Sequence, residues 1–212
     1  MKFATLILTG ILLTSCNSPL KEKITTVSKG LLLRLPLANS KFKYHNLKEF
    51  SIDTISWDKR KLFYTQLDSI SFFQIYQDPS LEYLGQYDDA GDFDFFYSNQ
   101  NNSRGLIELT VLTHREGEYC DGIRYLIYNK KGKLISSFSA AGSCADGGFY
   151  EKDHGSFVND STYILFSEDN YDTKDVDKSN TISYSKHTTT IKSNGETTIL
   201  DTLLRQEIKP YR

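Results

Sequence analysis

Proline and tryptophan are scarce in this chain, at 4 and 1 of 212 residues. The shortage of proline leaves strands free to run without interruption. No apolar run near the amino terminus approaches the ~20 residues that a bilayer-spanning helix needs. Charge of one sign is lacking as well. Residues 1–15 carry no charge except Lys2, so the 197 residues from Cys16 onward hold 24 Lys+Arg against 27 Asp+Glu. That near-balance offers no basic footprint for nucleic acid and no acidic solvating tail. Catalytic signatures are missing too: there is no GxSxG elbow, no HExxH helix and no CxxC pair. The four histidines, His45, His114, His154 and His187, lie scattered without ligand spacing. Nor is there a repeat of fixed period, and a complete propeller would need more chain.

Aromatic residues, in contrast, are abundant, with 14 Tyr and 13 Phe. Together with frequent Thr and Ser they favour pleated, half-buried surfaces and hence β structure. "DFDFFYS" and "GLIELTVLT" read as two strands joined by the polar loop "NQNNSR". "IRYLIYNKKGKLISSFSA" reads as a hairpin turning at Asn129–Gly132, "SFVNDSTYILFS" as one turning on Asn159-Asp160, and "HTTTIKSNGETTILDTLL" as one turning on Asn194-Gly195. Successive hairpins of this kind predict a mostly-β domain: an antiparallel meander closed as a barrel, packed as a sandwich or wound as propeller-like blades. One short helix is expected within residues 50–85, opening after Ser56. "SISFFQIYQ" has the β-branched and aromatic character of a strand, and "DPSLEYLG" also leans to strand. Pro36 demotes "LLLRLPL", residues 31–37, to an edge strand or a non-strand.

The amino terminus carries the sharpest signal. Lys2 precedes a mostly apolar stretch, Phe3 to Leu13, followed by Thr14, Ser15 and Cys16. A positive start, a short apolar core and small residues describe a secretory signal peptide. Leu13-Thr14-Ser15-Cys16 resembles the lipobox of bacterial lipoproteins. The resemblance implies removal of residues 1–15, a diacylglycerol on the Cys16 sulfur and an acylated new amino terminus. Several acyl chains, at about 0.8 kcal/mol per buried methylene, would hold the protein to a membrane firmly. Asn17, where an inner-membrane retention signal would carry Asp, favours an outer-membrane destination by the same analogy. The expected organisation is a signal peptide (1–15), a lipidated tether (16–30) and a single β-rich domain (31–212). In layout and texture the whole is similar to small, β-rich Bacteroidetes-type lipoproteins, a likeness that carries no activity with it.

Outside the cytoplasm the remaining pair, Cys120 and Cys144, reads as one disulfide. Its closed loop corresponds to roughly 3–4 kcal/mol in the chain-entropy picture. Pairing Asn129 with Lys133 sets Cys120 opposite Gly142, so a bulge in "AAGSCADGG" is expected to bring the sulfurs together. Two acidic stretches are candidates for calcium, which prefers hard oxygen ligands. One is "DDAGDFD", with Asp88, Asp89, Asp92 and Asp94; the other is "SEDNYDTKDVDKSN", with Asp172, Asp175 and Asp177 beside Glu168 and Asp169. Neither follows the EF-hand order, and a solvated polar loop accounts for both. A Cys144–His154 pair could activate a thiolate, but "GSCAD" lacks the surroundings of the papain-type nucleophile and a disulfide would consume the thiol. "KFKYHNLK" and "DKRK" read as strand faces in water, or as contacts to anionic headgroups or glycans. No cofactor is expected. The functional expectation is a non-enzymatic, lipid-anchored binding or accessory protein of the cell envelope, facing an envelope protein or a glycan. Its rivals are a glycosidase-like envelope hydrolase with dispersed carboxylates and a purely structural lipoprotein.

Overall fold

The computed structural model of the protein describes residues 39–52, 62–78, 80–81, 92–101, 103–115, 119–172 and 179–210. Among them are ten strands and one helix. After a 3-10 turn at Asn39–Lys41 come β1 (Tyr44–His45), β2 (Glu49–Ser51), helix α1 (Ser69–Tyr76), β3 (Phe93–Gln100) and β4 (Ile107–Arg115). The chain continues through β5 (Cys120–Tyr128), β6 (Leu134–Asp146), β7 (Phe149–Asn159), β8 (Thr162–Asp172), β9 (Ser179–Ile191) and β10 (Thr197–Pro210). From β3 to β10 every strand pairs antiparallel with the next, so the expected meander is present as one large sheet that does not close on itself.

The two shortest strands bend that sheet. β1 runs parallel to β3, pairing Tyr44 with Ser98, while β2 pairs antiparallel with β7 through Glu49–Ser156, Phe50–Gly155 and Ser51–His154. Only three residues separate β1 from β2, a reach of about 14 Å at full extension. In a flat sheet β3 and β7 would stand about 19 Å apart, with strands every ~4.8 Å. Strands β3–β7 must therefore curl until the 44–51 segment can touch both ends. Asn46 makes the turn out of β1 with φ 56°, a left-handed conformation that asparagine tolerates. Its backbone N–H donates to Asn99 O at 3.0 Å, and its side chain accepts from Asn101 N at 2.7 Å.

Curling gives two cores on the two faces of the same strands. Inside the curl, Phe50 meets Tyr125 and Tyr163 at ring-centroid distances of 6.1 and 5.9 Å, with Phe95, Ile123, Ile127 and Phe138 around them. Outside, α1 lays Phe72, Ile75 and Tyr76 over Phe96, Val111, Leu126 and Tyr128. Burial on both faces explains why β3 and β5 read as nearly continuous apolar runs rather than alternating ones. The Glu108 carboxylate is buried in the inner core. Glu108 accepts both Arg104 Nη2 bonds (2.7 and 2.9 Å) and the Tyr125 hydroxyl at 2.5 Å.

Several expectations need correction. "SISFFQIYQ" is not a strand: Ser69–Tyr76 is the helix. Asp68 caps it by accepting from Ser71 N at 2.7 Å, and Gln77 ends it in the left-handed region at φ 54°. Spacing of i, i+3 and i+4 puts Phe72, Ile75 and Tyr76 on the sheet, and this burial overrides their β preference. The Gln77 amide then fastens the helix to the β5–β6 turn, donating to Gly132 O (2.6 Å) and accepting from Leu134 N (2.8 Å). In "SFVNDSTYILFS" the two turn residues are Asp160 and Ser161, one position later than expected, because Asn159 pairs with Thr162. The β5–β6 register needs two bulges rather than one. Irregularities between Ile127 and Tyr128 and between Ile123 and Arg124 together bring Cys120 opposite Cys144, and the disulfide links them with a Cα–Cα distance of 4.1 Å. "KFKYHNLK" is strand only at Tyr44–His45. The lipobox and Cys16, the "LLLRLPL" run, "DKRK", the helix start after Ser56 and most of "DPSLEYLG" lie outside the described residues.

Candidate functional site

The crossing of β2 onto β7 leaves a cleft of about 480 Å³, within the range of small-molecule sites. It is lined by the buried Phe50, the Tyr44–Tyr97 pair, the His154–Phe166 pair and the exposed Glu49. Each wall has a local cause. Strand alternation puts Tyr97 on the side of Phe93 and Phe95, and a register shift between Phe96 and Ser98 leaves it as the extra residue of a bulge with no partner on β4. There it meets Tyr44 at 5.1 Å edge-on and stacks on Tyr64 at 5.7 Å. His154 and Phe166 are cross-strand partners on β7 and β8 and stack at 5.8 Å. Phe166 is 40 % exposed, so an apolar ring face is open to the cleft.

Gly155 holds the crossing together. A Cβ there would lie 2.5 Å from the Tyr163 hydroxyl and 2.6 Å from Ile164 O. Only glycine lets the Tyr163 ring pass under β7 and donate to Ala140 O at 2.6 Å while Phe50 pairs above. The cleft so formed offers aromatic faces, one carboxylate, an imidazole and the hydroxyls of Ser51 and Ser156.

A second polar cluster lies further along β7. Glu151 pairs in register with Asp169, and Asp153 with Ser167, whose hydroxyl donates to Asp153 at 2.5 Å. Asp153 also covers Gly142, which has no side chain to compete for the space. Burial pushes the Glu151 carboxyl up to about 7, helped by the charge and hydrogen bond of Asp153 and by Asp169, against the opposing pull of His187. Burial and the Asp153 charge raise Asp169 as well. The fold therefore favours protonated Glu151. Its stabilising effect is complete below the ordinary glutamate value of 4.5 and is lost as pH rises through about 7. Because the group is half exposed, solvent screening reduces the effect to about 1 kcal/mol. Glu151→Gln is expected to raise stability by that amount at pH 8 and to leave it unchanged near pH 4. Urea titrations at the two pH values check this; equal shifts at both would refute it.

The sequence candidates distribute as follows. Cys144 is in the disulfide, so the Cys144–His154 pair has no free thiol. His114 bonds Asp121 (2.8 Å), His187 bonds Asp201 (2.7 Å), His45 bonds Asn99 and His154 stacks on Phe166; the four do not converge. Asp94 is buried against Arg115 Nη1 at 2.9 Å, with Asp92 3.9 Å from the same guanidinium, so a cation already faces both. Among the described residues no group of three or more His, Cys, Asp or Glu could hold a metal ion. Asp88, Asp89, Asp175 and Asp177, together with the side chain of Asp172, fall outside them. Lysines of "KFKYHNLK" are engaged locally: Lys41 lies over Phe96 at 5.0 Å, Lys43 over Phe63 at 4.6 Å, and Lys48 pairs with Asp160 at 3.4 Å. Sequence reasoning missed Glu49, Phe50, Tyr97 and Phe166 as a group. The available signal was Gly155, an isolated glycine inside a strand pattern, which marks a close backbone approach.

Comparison of the chain with protein-family models, curated proteins and solved structures gives no match.

Proposed function

We propose that the chain is a lipid-anchored binding protein of the bacterial cell envelope, and that the cleft at the β2–β7 crossing receives a saccharide ring of an envelope glycan. The observation that carries this reading is the cleft itself: the exposed Phe166 ring stacked on His154, the half-buried Tyr44, and the polar groups of Glu49, Ser51 and Ser156 among the lining residues. A sugar presents the matching pattern, an apolar C–H face for stacking and hydroxyls for hydrogen bonding to Glu49, His154 and the serines. The hydrolase alternative asks for two carboxylates facing each other across a cleft, about 5–10 Å apart. Glu49 is the carboxylate among the described cleft residues, whereas Glu151, Asp153 and Asp169 sit side by side along the sheet, away from the cleft lining. That arrangement supports binding over cleavage.

The lipid anchor rests on the Leu13–Cys16 sequence, and the cleft suits a domain held near envelope polysaccharide. The test uses the full chain in membranes and in detergent. Mass analysis is expected to find a lipid on Cys16, lost together with processing in Cys16→Ser. Titration with envelope oligosaccharides is expected to show binding that Phe166→Ala weakens at least about tenfold, the loss of one stacked ring being worth about 1.4 kcal/mol or more. Phe166 is exposed enough for the variant to keep its fold. An unlipidated Cys16 would overturn the anchor; no oligosaccharide binding, or binding indifferent to Phe166, would overturn the cleft assignment.

A further inference from the structure

At the far end of the sheet β10 has β9 on one side and, among the described residues, no strand on the other. Fourteen residues long, it spans about 45 Å. Its large apolar side chains are unusually open: Ile199 55 %, Leu200 67 %, Leu203 62 %, Leu204 53 % and Ile208 69 % exposed. A long apolar edge strand is a template for another strand. We propose that the occupant is a second copy of this chain, paired antiparallel through β10 about a two-fold axis at Leu203.

Lys192 and Glu196 close the β9–β10 turn as a hydrogen-bonded pair, with Lys192 N–H donating to Glu196 O at 2.8 Å. Alternation from that pair turns the N–H and C=O of Ile199, Asp201 and Leu203 away from β9. A bulge between Leu203 and Arg205 makes Leu204 the extra residue and shifts the outward set to Gln206 and Ile208. These five residues oppose the odd-numbered positions of β9 (Thr189, His187, Ser185, Ser183 and Thr181), so their side chains share one face.

Two identical antiparallel strands keep matching faces only if the axis passes through a residue, not between two. The register that keeps all of 197–210 paired is centred on Leu203. It sets Leu203 against Leu203, Asp201 against Gln206 and Ile199 against Ile208, with the bulges of the two copies placed symmetrically. Each outward hydrogen-bonding residue then meets another outward one. Ile199 with Ile208 towards each end and Leu203 with Leu203 at the axis make three apolar pairs, six side chains in all, with an Asp201–Gln206 pair between each and the next. On the other face Thr202 meets Arg205, Leu200 meets Glu207 and Thr198 meets Lys209. No like charges stand opposite one another, and the charges of β10, Asp201 and Glu207 against Arg205 and Lys209, balance within the strand. Such self-complementarity is what a two-fold interface between identical subunits requires.

The test is sedimentation of the full chain in detergent, combined with single-cysteine variants in the native membrane. A dimer mass is expected, and Leu203→Lys, which brings like charges together at the axis, is expected to weaken association about a hundredfold. Leu203 is the residue that meets itself, at the ~5.5 Å Cα spacing a disulfide accepts. Oxidised Leu203→Cys should therefore form a covalent dimer at least about tenfold more efficiently than Ile199→Cys or Ile208→Cys, whose symmetry mates lie roughly 27 Å away. A monomer at micromolar concentration, or equal crosslinking at positions 199, 203 and 208, would overturn the proposal. The exposed positions of all these variants leave the two cores untouched.

Discussion

Replacement of Glu108 by alanine is expected to lower the unfolding free energy by about 3–5 kcal/mol, the usual cost of removing one partner of a buried ion pair. The Glu108 side chain is 1 % and the Arg104 side chain 11 % exposed. Arg104 reaches Glu108 through Nε at 3.2 Å and Nη2 at 2.7 Å, and the Tyr125 hydroxyl adds a third donor. Burial, with the Glu108 charge beside it, pushes the Tyr125 phenol well above its ordinary value, so it remains a donor at any physiological pH. Truncation takes from the core the carboxylate to which both the guanidinium and the phenol donate. Urea unfolding of the single variant measures the loss directly. The double variant Arg104→Met/Glu108→Leu should recover most of it, because removing both charges leaves nothing uncompensated. A loss below about 1 kcal/mol in the single variant would mean that water reaches the pair.

Gly155→Ala is the second large expectation, with a loss of about 2–3 kcal/mol from overpacking. The added methyl group would press on the Tyr163 hydroxyl and on Ile164 O, and backbone does not yield cheaply. Relief comes from lifting β2 off β7, since Phe50 pairs with Gly155 there. Stability and the cleft should therefore fail together: oligosaccharide binding is expected to fall more than in Phe166→Ala, alongside a lowered urea midpoint. Preserved binding in a destabilised Gly155→Ala protein would show that the strain is absorbed on the Tyr163 side instead.

How far the fold could be read in advance depends on how local its signals are. Hairpin turns are short-range objects, and Asn129–Gly132 and Asn194-Gly195 announced theirs through residues that accept φ > 0. Gly132 has φ 78° and Gly195 φ 90°. The Cys120–Cys144 link was legible from an even cysteine pair and approximate register. A bulge within "AAGSCADGG" was legible, whereas the one beside Tyr128 was not, because nothing in "KLIS" marks an extra residue. The helix was misread because Ile70, Phe72, Phe73 and Ile75 have strand-like side chains, and what decides the matter is an outer sheet face 20 residues further on. The cleft was invisible for the same reason on a larger scale. Tyr97 meets Tyr44 only through the parallel pairing of β1 with β3, and Glu49 and His154 are neighbours only because the sheet curls.

The 44–51 segment also sets the order in which the molecule can assemble. Its pairings, Tyr44 with Ser98 and Phe50 with Gly155, join residues far apart along the chain, while every other strand pairs with its neighbour in sequence. Local hairpins close early, since the entropy of loop closure is small for them. Phe50 can enter only after β3–β7 have curled around its place. Its insertion is thus the high-contact-order step, and the cleft is finished last, as the chain commits to its native topology.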